Sequence, residues 1–456
     1  MVKSEDKLGR EKIWKLCLTM GIPCVFAQVV NLLYNIVDRI YIGNADASGF
    51  ELAGLGLCAP IITLISAFSS FVSGGGAPLA AKALGEQNAD KAKKYLNNGF
   101  VILVAFSVIL GLLTFIFKEQ LLLLVGADKA TTYSHADNYL SIYLIGTVFV
   151  QLSVGLNTFI TAQGKSALAM ISVLIGAILN IALDPLFIFV FNMGISGAAI
   201  ATVLSQAASA IFVVLVLLNK NATLRLDCKF MRLNKKIVSS TFAIGLASFV
   251  MAATESVIGF ALNGRLKYYG DKIAFGEGDK YISTLTVLQS SMMLISVPVS
   301  GFTQGAMPIL SYNFGAKNKQ RLKQCFYVCA AVCLGYCGLF AGIMMLLPTP
   351  FGRMFTTNAE ILTLTQKYLP IFVAGMLIFG IQRACQTTFV AMTEAKISLF
   401  IAVLRKIILL VPLAFILPTF MGVGGVFWAE CIADSLAATC CGIIFFFRFR
   451  KILKNM

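Results

Sequence analysis

Runs of about twenty apolar residues, each closed by a short polar break, recur along the whole chain. A helix needs roughly 20 residues to cross a hydrocarbon layer of about 30 Å, so each run is long enough to span a membrane. Twelve are predicted: 13–40 (α1), 54–80 (α2), 95–117 (α3), 138–162 (α4), 168–190 (α5), 196–218 (α6), 237–262 (α7), 281–308 (α8), 325–347 (α9), 368–392 (α10), 398–418 (α11) and 423–447 (α12). The expected fold is an all-α membrane protein.

The pattern is also written twice. Gly74–Lys93 returns as Gln304–Lys323 at an offset of 230, keeping Gly75/Gly305, Pro78/Pro308, Gly85/Gly315, Asn88/Asn318 and Lys93/Lys323. Met193–Gln206 returns as Met421–Asp434 at an offset of 228. Two matches at nearly one offset predict two homologous lobes. Six helices is an even number, so both repeats enter the membrane from one side and are related by a pseudo-two-fold axis along the membrane normal. The expected organisation is a first lobe (1–218), a polar basic linker (219–236) and a second lobe (237–456), with a central cleft between the lobes.

With 58% hydrophobic and 13% charged residues, the chain carries about half the charge of a soluble domain. A net charge of +16 would suit nucleic acid, but its placement argues otherwise. Assigning the loops alternately to two sides gathers most of the 37 basic residues on one. These include Lys3 to Lys15 at the start, Lys82 to Lys94 after α2, Lys220 to Lys236 in the linker, Lys317 to Lys323 after α8, and Arg448 to Lys454 at the end. That is a topology signal. It predicts a multi-pass protein of the inner (plasma) membrane with both termini cytoplasmic and lipid rather than nucleic acid as its surroundings. A monomer is the expected working unit, an expectation that does not come from the charge pattern. The opening MVKSEDKLGREK leads into a full-length span without a cleavage pattern, so no removable signal is expected.

Twelve cysteines show no zinc-type spacing, and the Cys325, Cys329, Cys333, Cys337 stripe reads as helix packing. His135, the single histidine, is expected in an outer loop. No P-loop, HExxH or GxSxG motif occurs, so neither an enzyme nor a cofactor is expected, and transport would draw on an ion gradient.

Pro23 in α1, Gly74 to Gly76 and Pro78 in α2, Pro298 and Pro308 in α8, and Pro412 in α11 interrupt spans where lipid cannot satisfy the backbone. Gly85 and Gly315 read as helix stops, with Asn88 and Asn318 as caps and lysines at the headgroups beyond; a gating hinge is the alternative.

Ionisable groups inside spans mark function by default. Asp38 lies late in α1 and Asp184 late in α5, with Asn180 one turn before it; Thr202 lies in α6. Because α1 and α5 run the same way, the two carboxylates reach similar depth. Carboxylates, an amide and a hydroxyl form an all-oxygen set for a hard cation, Na⁺ for example, or for shared protons. The competing structural account has Asp184 capping a break before Pro185 and Asp38 pairing with Arg39. Asn31, Asn35 and Gln206 are further candidates for substrate contact.

The second copy differs: Thr202 aligns with Glu430, Gln206 with Asp434 and Asp184 with Pro412. Glu255, with Gln289, Met292 and Met293, would offer an acidic, polarisable wall to an organic cation. Glu430 and Asp434 are either substrate contacts or internal partners of Arg383, Arg405 and Lys406.

Several stretches, LYNIVDRIYIG, LNIALDP, MGISGAAIAT and QGAMPILSYNFGAKN, resemble the multidrug and toxic compound extrusion (MATE) transporters, within the bacterial multidrug-exporter branch. The resemblance implies two six-helix bundles in a V that export organic cations in exchange for H⁺ or Na⁺. It also implies that Asp38, Asn180, Asp184 and Thr202 are the coupling residues. Glu255 matches an acid of another branch whose remaining second-lobe pattern is not clearly present. The rival reading is a flippase for a lipid-linked precursor, from the same superfamily.

Overall fold

The computed structural model describes residues 8–45, 50–220, 222–273, 277–356 and 358–456, apart from a few side chains that include Glu255. Every predicted span is helical. α1 is Ile13–Ala45, α2 Phe50–Gly85, α3 Ala89–Ile116, α5 Ser166–Val190 and α6 Gly194–Leu218. α7 is Lys235–Asp271, α8 Glu277–Gly315, α9 Lys319–Leu346, α10 Ala359–Ala391, α11 Ala395–Met421 and α12 Gly424–Asn455. Apolar runs underestimate these lengths because polar first and last turns still close helical hydrogen bonds.

α4 differs in kind. It is two helices, Tyr133–Ile145 and Thr147–Ala162, bent by 57°. The corner is Gly146, whose missing side chain leaves the space that Val203 of α6 fills. His135 belongs to the first turn of α4 and not to a loop, with its Nδ1 3.9 Å from Glu51 Oε1.

Proline explains two of three irregular turns. A widened π turn at Val72–Gly76 precedes Pro78 and another at Leu404–Leu410 precedes Pro412, and each contains the carbonyl four residues back, relieving its clash with the proline ring. A third at Leu186–Val190 follows Pro185 and has no such cause. Pro23, Pro298 and Pro308 instead sit inside helices that continue through them.

The duplication reaches the backbone. Gln87 and Lys317 both take left-handed φ, at 57° and 53°. Beside them Asn88 Oδ1 accepts the Lys91 N–H at 2.9 Å and Asn318 Oδ1 accepts the Arg321 N–H at 3.1 Å, so the expected caps are formed. The third helix of each half is followed by a short one, Lys118–Leu124 and Pro348–Arg353.

Repeated glycines form the seam between halves. The position of a Gly85 side chain is taken by the Tyr312 carbonyl, and that of Gly315 by the Lys82 carbonyl. Gly75 meets Thr241 and Gly245 of α7, while Gly305 meets Met20 and Gly21 of α1. Contact of backbone on backbone requires residues without a Cβ at these points. Around the seam, Lys82 Nζ donates to Thr393 Oγ1 at 3.2 Å, Cys17 and Cys325 lie 3.7 Å apart, and Phe71 stacks on Phe249 with centroids 4.5 Å apart. The Gly85, Gly315, Lys82 and Cys17 contacts lie toward the end of the molecule where α1 begins and α12 closes, and the Phe71–Phe249 stack lies near mid-span.

The linker is bound to α3. Buried Asn97 donates to Arg225 O and accepts from the Asp227 N–H, at 3.1 and 2.8 Å. Buried Asn98 donates to Phe230 O and Arg232 O and accepts from the Asn234 N–H, at 3.1, 3.2 and 2.8 Å. Asn234 in turn caps α7 through the Lys236 and Ile237 N–H groups.

Candidate ion-coupling site and central cleft

α1, α5 and α6 bring the predicted first-lobe residues together. Asp38 and Asp184 are buried with their carboxyl groups in hydrogen-bonding reach of each other. Asn180 Nδ2 donates to Asp184 Oδ1 at 3.2 Å, the i, i+4 contact expected of residues one turn apart. Thr202 bonds the Tyr139 hydroxyl beside them.

The satisfied contacts matter less than the unsatisfied ones. Asp38 Oδ1, Asp184 Oδ2 and Asn180 Oδ1 are buried acceptors with no donor. Buried polar atoms are almost always paired, and an unpaired one costs about 1–3 kcal/mol. Three acceptors converging in one place form an all-oxygen set that a proton, a hard cation or the hydrogens of water can satisfy. Among the described residues no group of three or more His, Cys, Asp and Glu side chains gathers as a metal site.

Two cavities meet at this point. One of about 140 Å³ extends toward the termini and includes Gln28, Asn31, Asn157, Asn180 and Gln206. The other, about 290 Å³, extends the opposite way past Asn35, Asp38, Arg39, Tyr139 and Tyr143. Tyr34, Thr202 and Gln206 border both. Asn31, Asn35 and Gln206 thus belong to the interior of the first lobe. Arg39 borders the same cavity as Asp38, and Asp184 bonds Asn180 instead of standing as a lone cap.

The tyrosines escaped sequence reasoning. Tyr139 and Tyr143 stand one turn apart with stacked rings, and Tyr34 precedes Asp38 by one turn. For Tyr34 that i, i+4 spacing of hydroxyl to carboxylate is the available signal; Tyr139 and Tyr143 have no carboxylate at that spacing.

Between the lobes, at the end away from the termini, lies a cleft of about 690 Å³. The outer turns of α2 form one wall; Gln289, Met292 and Met293 of α8 and Glu430 of α12 contribute to the other. Asp434 is withdrawn behind it. Arg405 grips Asp434 with two hydrogen bonds, Nε to Oδ1 at 2.5 Å and Nη2 to Oδ2 at 3.1 Å. Glu430 Oε1 lies 3.9 Å from both Arg405 Nη2 and Lys406 Nζ. Arg383 donates to Ser300 at 3.0 Å. Glu255, the remaining predicted contact, has its side chain outside the described residues.

Below the cleft a polar cavity of about 300 Å³ reaches the seam, where Gln28 Nε2 donates across the lobes to Gln304 Oε1 at 3.0 Å.

What the fold provides is enclosed charge in one lobe and a solute-sized space between two, the parts of a membrane transporter. The MatE family model matches residues 23–186 and 273–416, most of the chain, and the protein belongs to that family. It is similar to the multidrug export protein MepA of Staphylococcus aureus strain N315, 27% identical over 445 residues covering 96% of this chain and 95% of the relative. MepA of Staphylococcus haemolyticus is 25% identical over 93% of this chain and 92% of the relative. Among solved structures, an outward-facing multidrug resistance MATE transporter superposes with a TM-score of 0.90 at 21% identity, over 98% of each chain. A MOP-superfamily transporter of Pyrococcus furiosus, described as having a binding pocket of reversed polarity, gives 0.90 at 20% identity over 99% of each. MATE transporters are not enzymes, and the expected class and the two-lobe, twelve-helix fold are borne out.

Proposed function

We propose that the protein is a secondary antiporter of the plasma membrane, termini in the cytoplasm, that exports amphipathic organic cations in exchange for H⁺ or Na⁺. The observation carrying this reading is the convergence of three donorless buried oxygens from Asp38, Asn180 and Asp184. A charge taken up there changes the first lobe; a substrate in the cleft bears on both lobes. Exchange follows if the ion and the substrate favour different lobe arrangements. One elementary charge crossing about 100 mV provides roughly 2.3 kcal/mol, enough for a concentration ratio on the order of 40-fold. The names of the MepA relatives support drug export.

Flipping of a lipid-linked precursor is the second reading, favoured by Arg383, Arg405 and Lys406 along the cleft. Glu430 and Asp434 offset two of those charges, which weighs against a strongly cationic cavity.

The test uses proteoliposomes loaded with a cationic fluorescent dye and given a Na⁺ gradient or a pH gradient separately. One of the two should drive dye movement above protein-free vesicles. Ion flux without dye movement, or dye movement indifferent to both gradients, would refute antiport.

A further inference from the structure

Two of the internal cavities meet at one pair of side chains. Among the described residues, Gln28 of α1 and Gln304 of α8 are the two that line both the first-lobe cavity of about 140 Å³ and the polar cavity of about 300 Å³ between the lobes. Gln304 is also the one described second-lobe residue on the first-lobe cavity, whose other lining residues run from Cys24 to Ser209. The two amides are bonded to each other across the lobes, Gln28 Nε2 donating to Gln304 Oε1.

Backbone packing holds this bond where α1 and α8 come closest. Gly301 and Gly305 lie on either side of Gln304 in sequence, and the positions of their absent side chains are filled by the backbone at Cys24 and Val25 and at Met20 and Gly21. Movement of α8 away from α1 at this level takes the amides beyond hydrogen-bonding distance, so the bond has two states, made and broken, set by the lobe arrangement. Gln28 also shares its helix with Asp38. Gln28, Asn31, Asn35 and Asp38 follow one another at helical spacing, and at 1.5 Å per residue Gln28 stands about 15 Å along α1 from the carboxylate.

We propose that the Gln28–Gln304 bond is the element through which ion occupancy of the first lobe and the arrangement of the two lobes influence each other. Made, it fixes one wall of the ion cavity with a second-lobe side chain; broken, it leaves that cavity open toward the space between the lobes. Both are positioning residues, acting on the carboxyl pair through α1. The inference rests on the proposed antiport and assigns its coupling to a bond outside the carboxyl site.

The experiment measures linkage at equilibrium. Binding of a permanently cationic rhodamine ester to the purified full chain, in nanodiscs of zwitterionic lipid, is followed by fluorescence anisotropy with and without saturating Na⁺, and at low and high pH. In the unaltered protein one of the two ions should weaken dye binding at least about fivefold, the lower end of coupling between linked sites. Gln28→Met and Gln304→Met each keep the length of the side chain and lose the amide. Each should bring the dye affinities with and without the ion to within about twofold, and the double variant should match the singles because all three remove the same bond. Thermal transitions report whether the variants fold, and either single variant reads the bond if the other does not fold. A merely structural pair would lower the thermal transition and leave the affinity ratio unchanged. An unchanged ratio in a folded single variant therefore overturns the inference and leaves antiport standing. A ratio that falls further in the double variant than in either single also overturns it, because the two residues then act separately. Equal dye affinity in all ion conditions for the unaltered protein overturns it too, and the vesicle assay then decides separately on antiport.

Discussion

Asp184→Asn should abolish gradient-driven efflux of dye from vesicles, reducing it to the leak of protein-free membranes, while the protein remains folded. Asparagine preserves the volume and one acceptor of the carboxyl group and removes its charge. The hydrogen bond from Asn180 can still be accepted, so packing is retained. What disappears is the negative charge that makes uptake of a proton or cation worthwhile beside Asp38. Replacing a buried charge with a neutral isostere is often neutral or stabilising, so a loss of transport would not be explained by unfolding. Asp38→Asn should behave the same way, because the two carboxyl groups share one site. Thr202→Val, which removes only the hydroxyl beside Tyr139, should slow transport without abolishing it. Normal gradient-driven efflux in both aspartate variants would eliminate this pair as the coupling site.

Asp434→Ala should produce the largest loss of stability. It leaves Arg405 buried without its bidentate partner, and breaking a buried ion pair from one side costs about 3–5 kcal/mol. The thermal transition of the detergent-solubilised protein should fall sharply. The double variant Arg405→Met with Asp434→Leu should recover most of the loss, since it removes both charges and restores apolar volume. If Asp434→Ala melts with the parent protein, the pair contributes little. If the double variant is no better than the single one, the cost lies in packing and not in the orphaned charge.

Legibility differed between the two lobes for a physical reason. The spans, the repeat and the Asp38, Asn180, Asp184 and Thr202 group could be read because each depends on local periodicity or on a polar residue in an apolar run. Those four do converge, although their role in coupling is proposed from that convergence. In the second lobe, Glu430 and Asp434 were visible as anomalies, yet two uses were open to them. The choice depends on where Arg405 and Lys406 point, and that is governed by a π turn that sequence periodicity does not reveal. Asn97 and Asn98 were missed altogether. Adjacent amides near the start of a helix look solvated, and only their burial against a distant linker shows that they bind it. The bend of α4 at Gly146 was hidden in the same way, since an isolated glycine in an apolar run is compatible with a straight helix.

The attachment of Asn234 to Asn98 bears on how the lobes can tilt. The residue that begins α7 is bonded to α3 of the other half, so besides the glycine seam the second lobe has a hydrogen-bonded attachment to the first near the membrane surface. A rigid tilt that preserves this bond has its axis running close to Asn98. Displacement then grows with distance from that pivot, and the far ends of α7 and α8, beside the cleft, sweep the widest arc.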